Sequence, residues 1–179
     1  MSFAPPSGLT IMSTEAPAGP TIVTRSEQPY VALRGFVTMQ TFSAIADRLP
    51  GLFGWLQARG IEPTGAPFFK YNVIDMERQL EVEAGVPVAA VVDGDGEVFS
   101  GILPAGRYAT VTHVGQPDRL IDVAAAMLEW AARQGLEWDM SETDGGQRWG
   151  CRLEILRTNP AEEPDPGRWE TELAFRLAD

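Results

Sequence analysis

The chain repeats one order of predicted elements, and this internal duplication constrains its fold more than any single residue does. The first copy begins with an apolar strand at Tyr30, continues through a helical stretch and ends that helix at Gly60. The second begins in the same way at Tyr108 and ends its helix at Gly135. Two similar packed units predict a body with an approximate twofold axis, and clefts between packed units are common ligand sites. The duplication therefore favours a binding protein.

Hydrophobic periodicity predicts the same elements in both copies. In the first copy, Pro50 interrupts apolar residues at helical spacing, which predicts a helix break near Leu49. In the second copy, Leu120, Met127 and Ala131 share one face of a longer helix. Alternating segments after each helix predict pairs of strands. Each copy is therefore a strand-helix-strand-strand module, with a further short strand leading into it.

The predicted fold class is α+β, with antiparallel sheets related by pseudo-twofold symmetry around a central ligand cleft. We expect a single domain over residues 20–179, made of repeats at about 20–92 and 97–178. Residues 1–19 are rich in Pro, Gly, Ser, Ala and Thr, a composition that buries too little apolar surface to fold. They are predicted to form a flexible N-terminal tail.

Charge and cysteine content exclude several classes of function. Asp and Glu outnumber Lys and Arg by 25 to 14, so a nucleic acid backbone would be repelled and cationic ligands favoured. The single cysteine and single histidine rule out an internal disulfide and a zinc site that needs several such ligands. No motif implies a cofactor, and no apolar run is long enough to cross a membrane. These features predict a cytoplasmic protein without direct nucleic acid binding.

Glu154 is the most unusual acid in the sequence, because apolar residues flank it on both sides along a predicted strand. If this strand face turns inward, the carboxylate loses solvation and must bind a proton, a cation or hydrogen-bond donors. A pocket for positively charged ligands supplies such an environment. The alternative is that Glu154 faces solvent or pairs with Arg152 or Arg176, and alternation alone does not decide between the two.

Aromatic residues supply candidate walls for the predicted cleft. A lipophilic cation placed over an aromatic ring gains roughly 0.5 to 2 kcal/mol. Trp149 and Tyr71 lie on or beside predicted strands and, together with Phe69, are candidates for ligand contacts. Packing in the core is the alternative role for Trp149 and Tyr71.

Five segments of the chain resemble, in order, characteristic stretches of the GyrI-like small-molecule-binding family. They are 65–71, 83–88, 103–109, 113–115 and 169–173, and the resemblance extends over about residues 20–177. It implies a duplicated strand-helix-strand-strand fold around a central ligand cleft, which agrees with the repeat. The family includes effector domains of multidrug-responsive transcription activators, a protein that inhibits DNA gyrase, and members that resemble hydrolases of cyclopropane-bearing alkylators.

The resemblance also implies site residues. The acid in the family's pocket corresponds to Glu154, and the tyrosine usual two residues later is Leu156 here. That departure affects any mechanism that needs the tyrosine hydroxyl. Tyr108, which lies in the segment 103–109, joins Leu156 among the predicted ligand-binding residues.

Three functions are consistent with the sequence. The first is stand-alone binding of bulky hydrophobic, often cationic compounds, with charge from Glu154. The second is hydrolysis of strained cyclopropane rings, with Glu154 or Glu172 as general base. The third is inhibition of DNA gyrase by a strongly acidic domain of net charge −11 that imitates DNA.

Overall fold

A computed structural model describes residues 19–179, so the predicted tail lies, apart from Gly19, outside the described residues. The described chain forms ten strands and three α-helices. The strands are β1 (Thr21–Arg25), β2 (Gln28–Val37), β3 (Phe68–Ile74), β4 (Leu80–Pro87), β5 (Phe99–Leu103), β6 (Gly106–Val114), β7 (Met140–Thr143), β8 (Gly146–Trp149), β9 (Arg152–Leu156) and β10 (Glu170–Arg176). The helices are α1 (Ser43–Ala46), α2 (Leu49–Ala58) and α3 (Leu120–Arg133).

One sheet contains all ten strands, in the order β1-β6-β10-β9-β3-β4-β2-β5, with β8 pairing β3 and β7 at the side of this path. The strand pairs are antiparallel. The two halves of the chain meet where β9 pairs with β3, and here Glu154 lies opposite Phe69. The predicted α+β class and its antiparallel pairing are therefore confirmed, whereas the duplicated module and its symmetry stay predictions.

The helices cover one face of the sheet, which we call the outer face. Pro50 lies in the first turn of α2, and the chain breaks between α1 and α2 as predicted near Leu49. Side chains of α1 and α2 pack on β2 and β4, and those of α3 pack on β6 and β10. The buried helical residues are Ile45, Leu52, Leu56, Leu120, Met127 and Ala131.

The opposite face, which we call the inner face, has its own core because the sheet is curled. Tyr30, Phe68 and Tyr108 belong to one buried cluster, although they lie on three strands that are spread across the sheet. Leu103 on the edge strand β5 joins the same cluster. A flat sheet of this width would hold these side chains apart, since neighbouring strands are about 4.8 Å apart.

Gly85 allows the tightest aromatic packing of the inner face. The rings of Tyr30 and Phe68 meet edge to face with centroids 5.3 Å apart, and a Cβ atom at Gly85 would lie 2.6 Å from Cζ of Phe68. We expect Gly85→Ala to lower the free energy of unfolding by about 1–3 kcal/mol, because a buried ring must move. Urea denaturation measures this change.

A glycine in open space provides the matched control for Gly85→Ala. Gly54 is exposed in α2, and no atom lies within 4 Å of a Cβ built there. Gly54→Ala should raise the free energy of unfolding by about 0.5–1 kcal/mol, because alanine has the higher helix propensity. An unchanged urea midpoint for Gly85→Ala would show that the Phe68 ring accommodates the methyl group.

A central cleft as the candidate ligand-binding site

A cleft of about 630 Å³ opens on the outer face between the helices of the two halves. Its volume lies within the roughly 300–1,000 Å³ of typical small-molecule sites. The first half contributes Met39, Phe42, Ala46, Leu49, Phe69, Tyr71, Ile74, Met76 and Leu80, and the second half contributes Leu120, Ile121, Ala124, Leu156, Trp169 and Leu173 among others. The walls are therefore mostly apolar and come from both halves of the chain.

Three aromatic rings form a continuous wall on one side of the cleft. Phe42, just before α1, stacks on Tyr71 with centroids 5.9 Å apart and an interplanar angle of 21°. It also meets Phe69 edge to face at 4.9 Å. Offset and edge-to-face contacts of this kind fix ring orientation. A flat aromatic ligand would therefore find a preformed surface.

Glu154 lies in the cleft because side chains alternate along β9. Leu153 and Ile155 belong to the inner core, although Leu153 also borders the cleft, whereas Glu154 and Leu156 line the cleft from the outer face. The Tyr71 hydroxyl donates a hydrogen bond to Oε2 of Glu154 at 3.2 Å. Within residues 19–179, no lysine or arginine forms an ion pair with this carboxylate.

Burial changes the ionisation of this acid. Loss of solvation raises the pKa of Glu154 from 4.5 to about 7, although the hydrogen bond from Tyr71 and the positive charge of Arg152 oppose this shift. Burial, together with the nearby Glu154 carboxylate, also raises the pKa of Tyr71 well above its usual value. Tyr71 is therefore a phenol that donates to Glu154, and Glu154 changes its charge near neutral pH.

Arg152 is a second charged side chain in the cleft. Its Cζ lies 4.2 Å from the ring centroid of Phe175 and 4.7 Å from that of Trp149. Burial lowers the pKa of Arg152 to about 10, so the guanidinium stays protonated at neutral pH. From the sequence, Arg152 was named only as a possible ion-pair partner of Glu154. Because Arg152 precedes Glu154 by two residues on one strand, the two side chains were already expected on one face.

The structure places three of the predicted site residues elsewhere. Trp149 is buried against Trp138 and Phe175, beside the cleft and not on its lining. Tyr108 lies in the inner core, where its hydroxyl donates to the Pro104 carbonyl oxygen at 2.6 Å. Four predicted residues, namely Phe69, Tyr71, Glu154 and Leu156, line the cleft together.

Glu172 is the third predicted site residue that lies outside the cleft, and strand alternation explains its position. Its neighbours Thr171 and Leu173 on β10 line the cleft, so Glu172 points to the other face of the sheet. There it accepts a hydrogen bond from Arg25 at 2.5 Å and forms an ion pair with Arg157. Glu154 and Glu172 therefore do not share one site.

Helical residues of the cleft are the part of the site that sequence reasoning missed. Leu120 was predicted only as part of the apolar face of the second helix, and Phe42 lies just before α1, yet both line the cleft. The available signal was the apolar stripe of the helices itself. Periodicity does not separate residues that touch the sheet from residues that border a cavity.

A curled antiparallel sheet with helices on one face holds an apolar cleft between them, the kind of concave surface on which small-molecule sites are built. The model of the GyrI-like small molecule binding domain matches residues 19–178. The chain belongs to the GyrI-like family. No curated protein sequence matches it.

Solved structures of EcmrR have a similar fold. The cryo-EM structure of an EcmrR–DNA complex has a TM-score of 0.73 and 19% identity, over 89% of this chain and 57% of that one. The crystal structure of the EcmrR C-terminal domain has a TM-score of 0.71 and 17% identity, over 89% of this chain and 97% of that one. The chain therefore spans little more than half the length of EcmrR in the first structure.

Two further solved structures with a similar fold are a hydrolase and a protein bound to a cation. A hydrolase from Listeria innocua has a TM-score of 0.61 and 14% identity, over 91% of this chain and 94% of that one. SAV2435 bound to tetraphenylphosphonium has a TM-score of 0.55 and 8% identity, over 90% of this chain and 94% of that one. At such identities the similarity shows the fold alone.

In the part of the chain that the structure describes, none of the helices has the length and apolar character needed to cross a membrane.

Proposed function

We propose that the protein binds bulky, mostly hydrophobic and often cationic small molecules in the cleft. Glu154 supplies the charge, and Phe69, Tyr71 and Leu156 supply apolar walls. The observation that carries this proposal is a carboxylate in an apolar cleft that forms no ion pair within residues 19–179, although the charge of Arg152 lies nearby. An ionised carboxylate in such a position is costly unless a counter-charge arrives. A ligand cation would provide that charge.

The aromatic wall supports the same type of ligand. A cation within about 6 Å of an aromatic ring gains roughly 0.5–2 kcal/mol, depending on how fully it is desolvated. The stacked pair of Phe42 and Tyr71 offers such a surface next to Glu154. Stacking has no fixed hydrogen-bond pattern, so broad specificity would follow.

Two further considerations support the proposal. Tetraphenylphosphonium is bound by SAV2435, which shares the fold, and a compound of this shape and charge is therefore a suitable probe. The cleft lining is also consistent with the duplication predicted from the sequence. Under this hypothesis, Phe69 and Tyr71 come from the first repeat and Glu154 and Leu156 from the second.

Titration with tetraphenylphosphonium tests the proposal through Glu154. At pH 8 the carboxyl group is ionised, because its pKa is about 7. We expect micromolar binding by calorimetry at pH 8, and weakening by about tenfold or more in Glu154→Gln, equivalent to about 1.4 kcal/mol. At pH 5.5 the wild-type carboxyl group is protonated, so its affinity should fall towards that of the variant.

Glu129→Gln is the matched control, because it removes the same charge from an exposed position on α3 that does not line the cleft. Its affinity at pH 8 should stay within about twofold of wild type, since exposed charges are strongly screened. Equal affinity of wild type and Glu154→Gln at pH 8 would contradict the proposal.

Hydrolysis of a strained ring is a second candidate, favoured by the hydrogen bond between Tyr71 and Glu154. The sequence has Leu156 where the family pattern has a tyrosine, and Tyr71 brings a hydroxyl group to the same acid from β3. With a pKa of about 7, Glu154 suits a general base. Glu172 does not assist Glu154, because it lies on the other face of the sheet.

In this reaction the water oxygen would bond to a ring carbon as a ring carbon–carbon bond breaks. Glu154 would accept the water proton and return it to the released carbon. Incubation with a cyclopropane-bearing alkylator, followed by mass spectrometry, separates the two functions. A product heavier by one water favours the enzyme, and its absence after prolonged incubation removes this candidate.

A further inference from the structure

Arg152 brings a positive charge into a cleft whose proposed ligands are often cationic. Its guanidinium rests on the rings of Phe175 and Trp149, and the side chain lines the cleft. Within residues 19–179 it forms neither an ion pair nor a side-chain hydrogen bond. The five N–H donors of a guanidinium are therefore left to solvent or to a ligand.

A ligand that fills the cleft takes water away from these donors. A charged donor that is buried without an acceptor costs more free energy than a neutral donor in the same position. A purely apolar ligand, or a cation without an acceptor group, leaves the guanidinium donors unpaired, so its binding is weakened by the whole of this cost. A ligand with an anionic oxygen group avoids it, since a guanidinium binds carboxylates through two parallel hydrogen bonds.

Glu154 and Arg152 present opposite charges side by side. They lie two residues apart on one face of β9, which separates their Cα atoms by about 7 Å. The two side chains do not form an ion pair with each other, although the charge of each influences the other. Both charges are thus available to one ligand that spans this distance.

The remaining charged groups of the cleft favour a ligand with a positive end as well. Asp118 and Glu170 line the cleft and are both exposed. The chain as a whole has a net charge of −11, so a simple anion is repelled during approach. A ligand that carries both charges avoids this repulsion and still satisfies Arg152.

We infer that the cleft takes an amphoteric aromatic ligand, whose anionic oxygen group binds the guanidinium of Arg152 and whose positive or proton-donating group faces Glu154. The aromatic body of the ligand packs on the wall of Phe42, Phe69 and Tyr71. This inference rests on the proposed function and goes further, because it names an acidic group that a plain lipophilic cation lacks.

Rhodamine B and its ethyl ester test the inference, because they share one aromatic cation and differ in whether the carboxylate is free. We expect calorimetry at pH 8 to show that wild type binds rhodamine B at least tenfold more tightly than the ester. Arg152→Met keeps the unbranched chain over the rings and removes the charge. In this variant the two dyes should bind with similar affinity.

Arg148→Met is the matched control, since Arg148 is exposed on β8 and does not line the cleft. It should keep the preference for rhodamine B. Near-ultraviolet circular dichroism checks that the variants are folded. If Arg152→Met does not fold, equal binding of the two dyes to wild type would still overturn the inference.

The outcomes separate the inference from the proposed function. Equal binding of the dye and its ester to wild type would overturn the role of Arg152 and leave the proposed function intact. If the preference for rhodamine B persists in Arg152→Met, the carboxylate binds elsewhere and the inference fails. If rhodamine B, its ester and tetraphenylphosphonium all fail to bind, the proposed function itself is wrong.

Discussion

Glu83→Ala should lower the free energy of unfolding by about 3–5 kcal/mol, the cost typical of removing one partner from a buried ionic network. Glu83 is only 3% exposed on β4. It accepts hydrogen bonds from the Tyr30 hydroxyl at 2.5 Å and from Nδ2 of Asn72 at 2.6 Å. Nζ of Lys70 lies 3.7 Å from the same carboxylate. Alanine would leave a hydroxyl, an amide and an ammonium group short of a partner.

Glu81→Ala is the natural control, because Glu81 lies two residues earlier on β4 and contacts the edge of the same network. Its side chain is 20% exposed, with Arg34 at 3.8 Å and Asn72 at 3.1 Å. Its removal should cost about 1 kcal/mol or less, since partly solvated pairs contribute little. Urea denaturation at pH 7 measures both variants. If Glu81→Ala and Glu83→Ala lower the free energy of unfolding by similar amounts, the deeper burial of Glu83 does not determine the cost of its removal.

Glu154→Gln should make the protein more stable than wild type at pH 8, by about 3 kcal/mol. The folded-state pKa of Glu154 is about 7, above its ordinary value of 4.5. The folded protein therefore binds more protons than the unfolded chain between these pH values. Wild type loses stability as the pH rises through this window, and the full cost is present above pH 7. Glutamine does not ionise and has no such cost.

Urea midpoints of wild type and Glu154→Gln between pH 4.5 and 8.5 measure the difference. It should be small near pH 4.5, where the wild-type carboxyl group is protonated, and should grow until about pH 8. Glu129→Gln removes the same charge from an exposed position and is the control for a general effect of surface charge. A difference between wild type and Glu154→Gln that stays constant with pH would contradict the raised pKa of Glu154.

The same substitution is thus expected to stabilise the protein and to weaken binding of a cation. A binding site commonly holds groups that cost folding free energy, because they are placed for a ligand and not for the empty protein. If Glu154→Gln is both more stable and weaker in binding, the buried carboxylate destabilises the empty protein and contributes to ligand binding. If Glu154→Gln is more stable but binds the cation as tightly as wild type, Glu154 does not contribute to ligand recognition.

Much of the fold follows from local patterns in the sequence. The 3.6-residue period predicts the helix that contains Leu120, Met127 and Ala131, and Pro50 predicts the break before α2. These signals are local, because helix periodicity and proline geometry act within a few residues. The pairing order of the strands joins residues far apart in the chain, and local patterns do not specify it.

The candidate site was accessible to sequence reasoning only in part. Apolar flanks around Glu154 and the neighbouring aromatic residues indicated the strands that border the cleft. Alternation fixes that Leu173 and Glu172 point to opposite faces, yet it does not tell which face carries the cleft. Glu172 was a candidate as a general base and Tyr108 as part of the segment 103–109, and the structure places both away from the cleft.

The sequence by itself determined which residues share a face of each helix and strand, because the period of side chains along a regular backbone is fixed by its geometry. Only the tertiary structure decided which faces meet. The pairing of β9 with β3 brings the Tyr71 hydroxyl to Glu154 across 83 positions of sequence separation. The pairing of β9 with β10 sets Arg152 beside Phe175, where its guanidinium rests on two aromatic rings and borders the cleft. Local alternation placed Glu154 and Arg152 on one face of β9, and long-range packing supplied their surroundings in the cleft, since neither side chain carries local information about its distant neighbours.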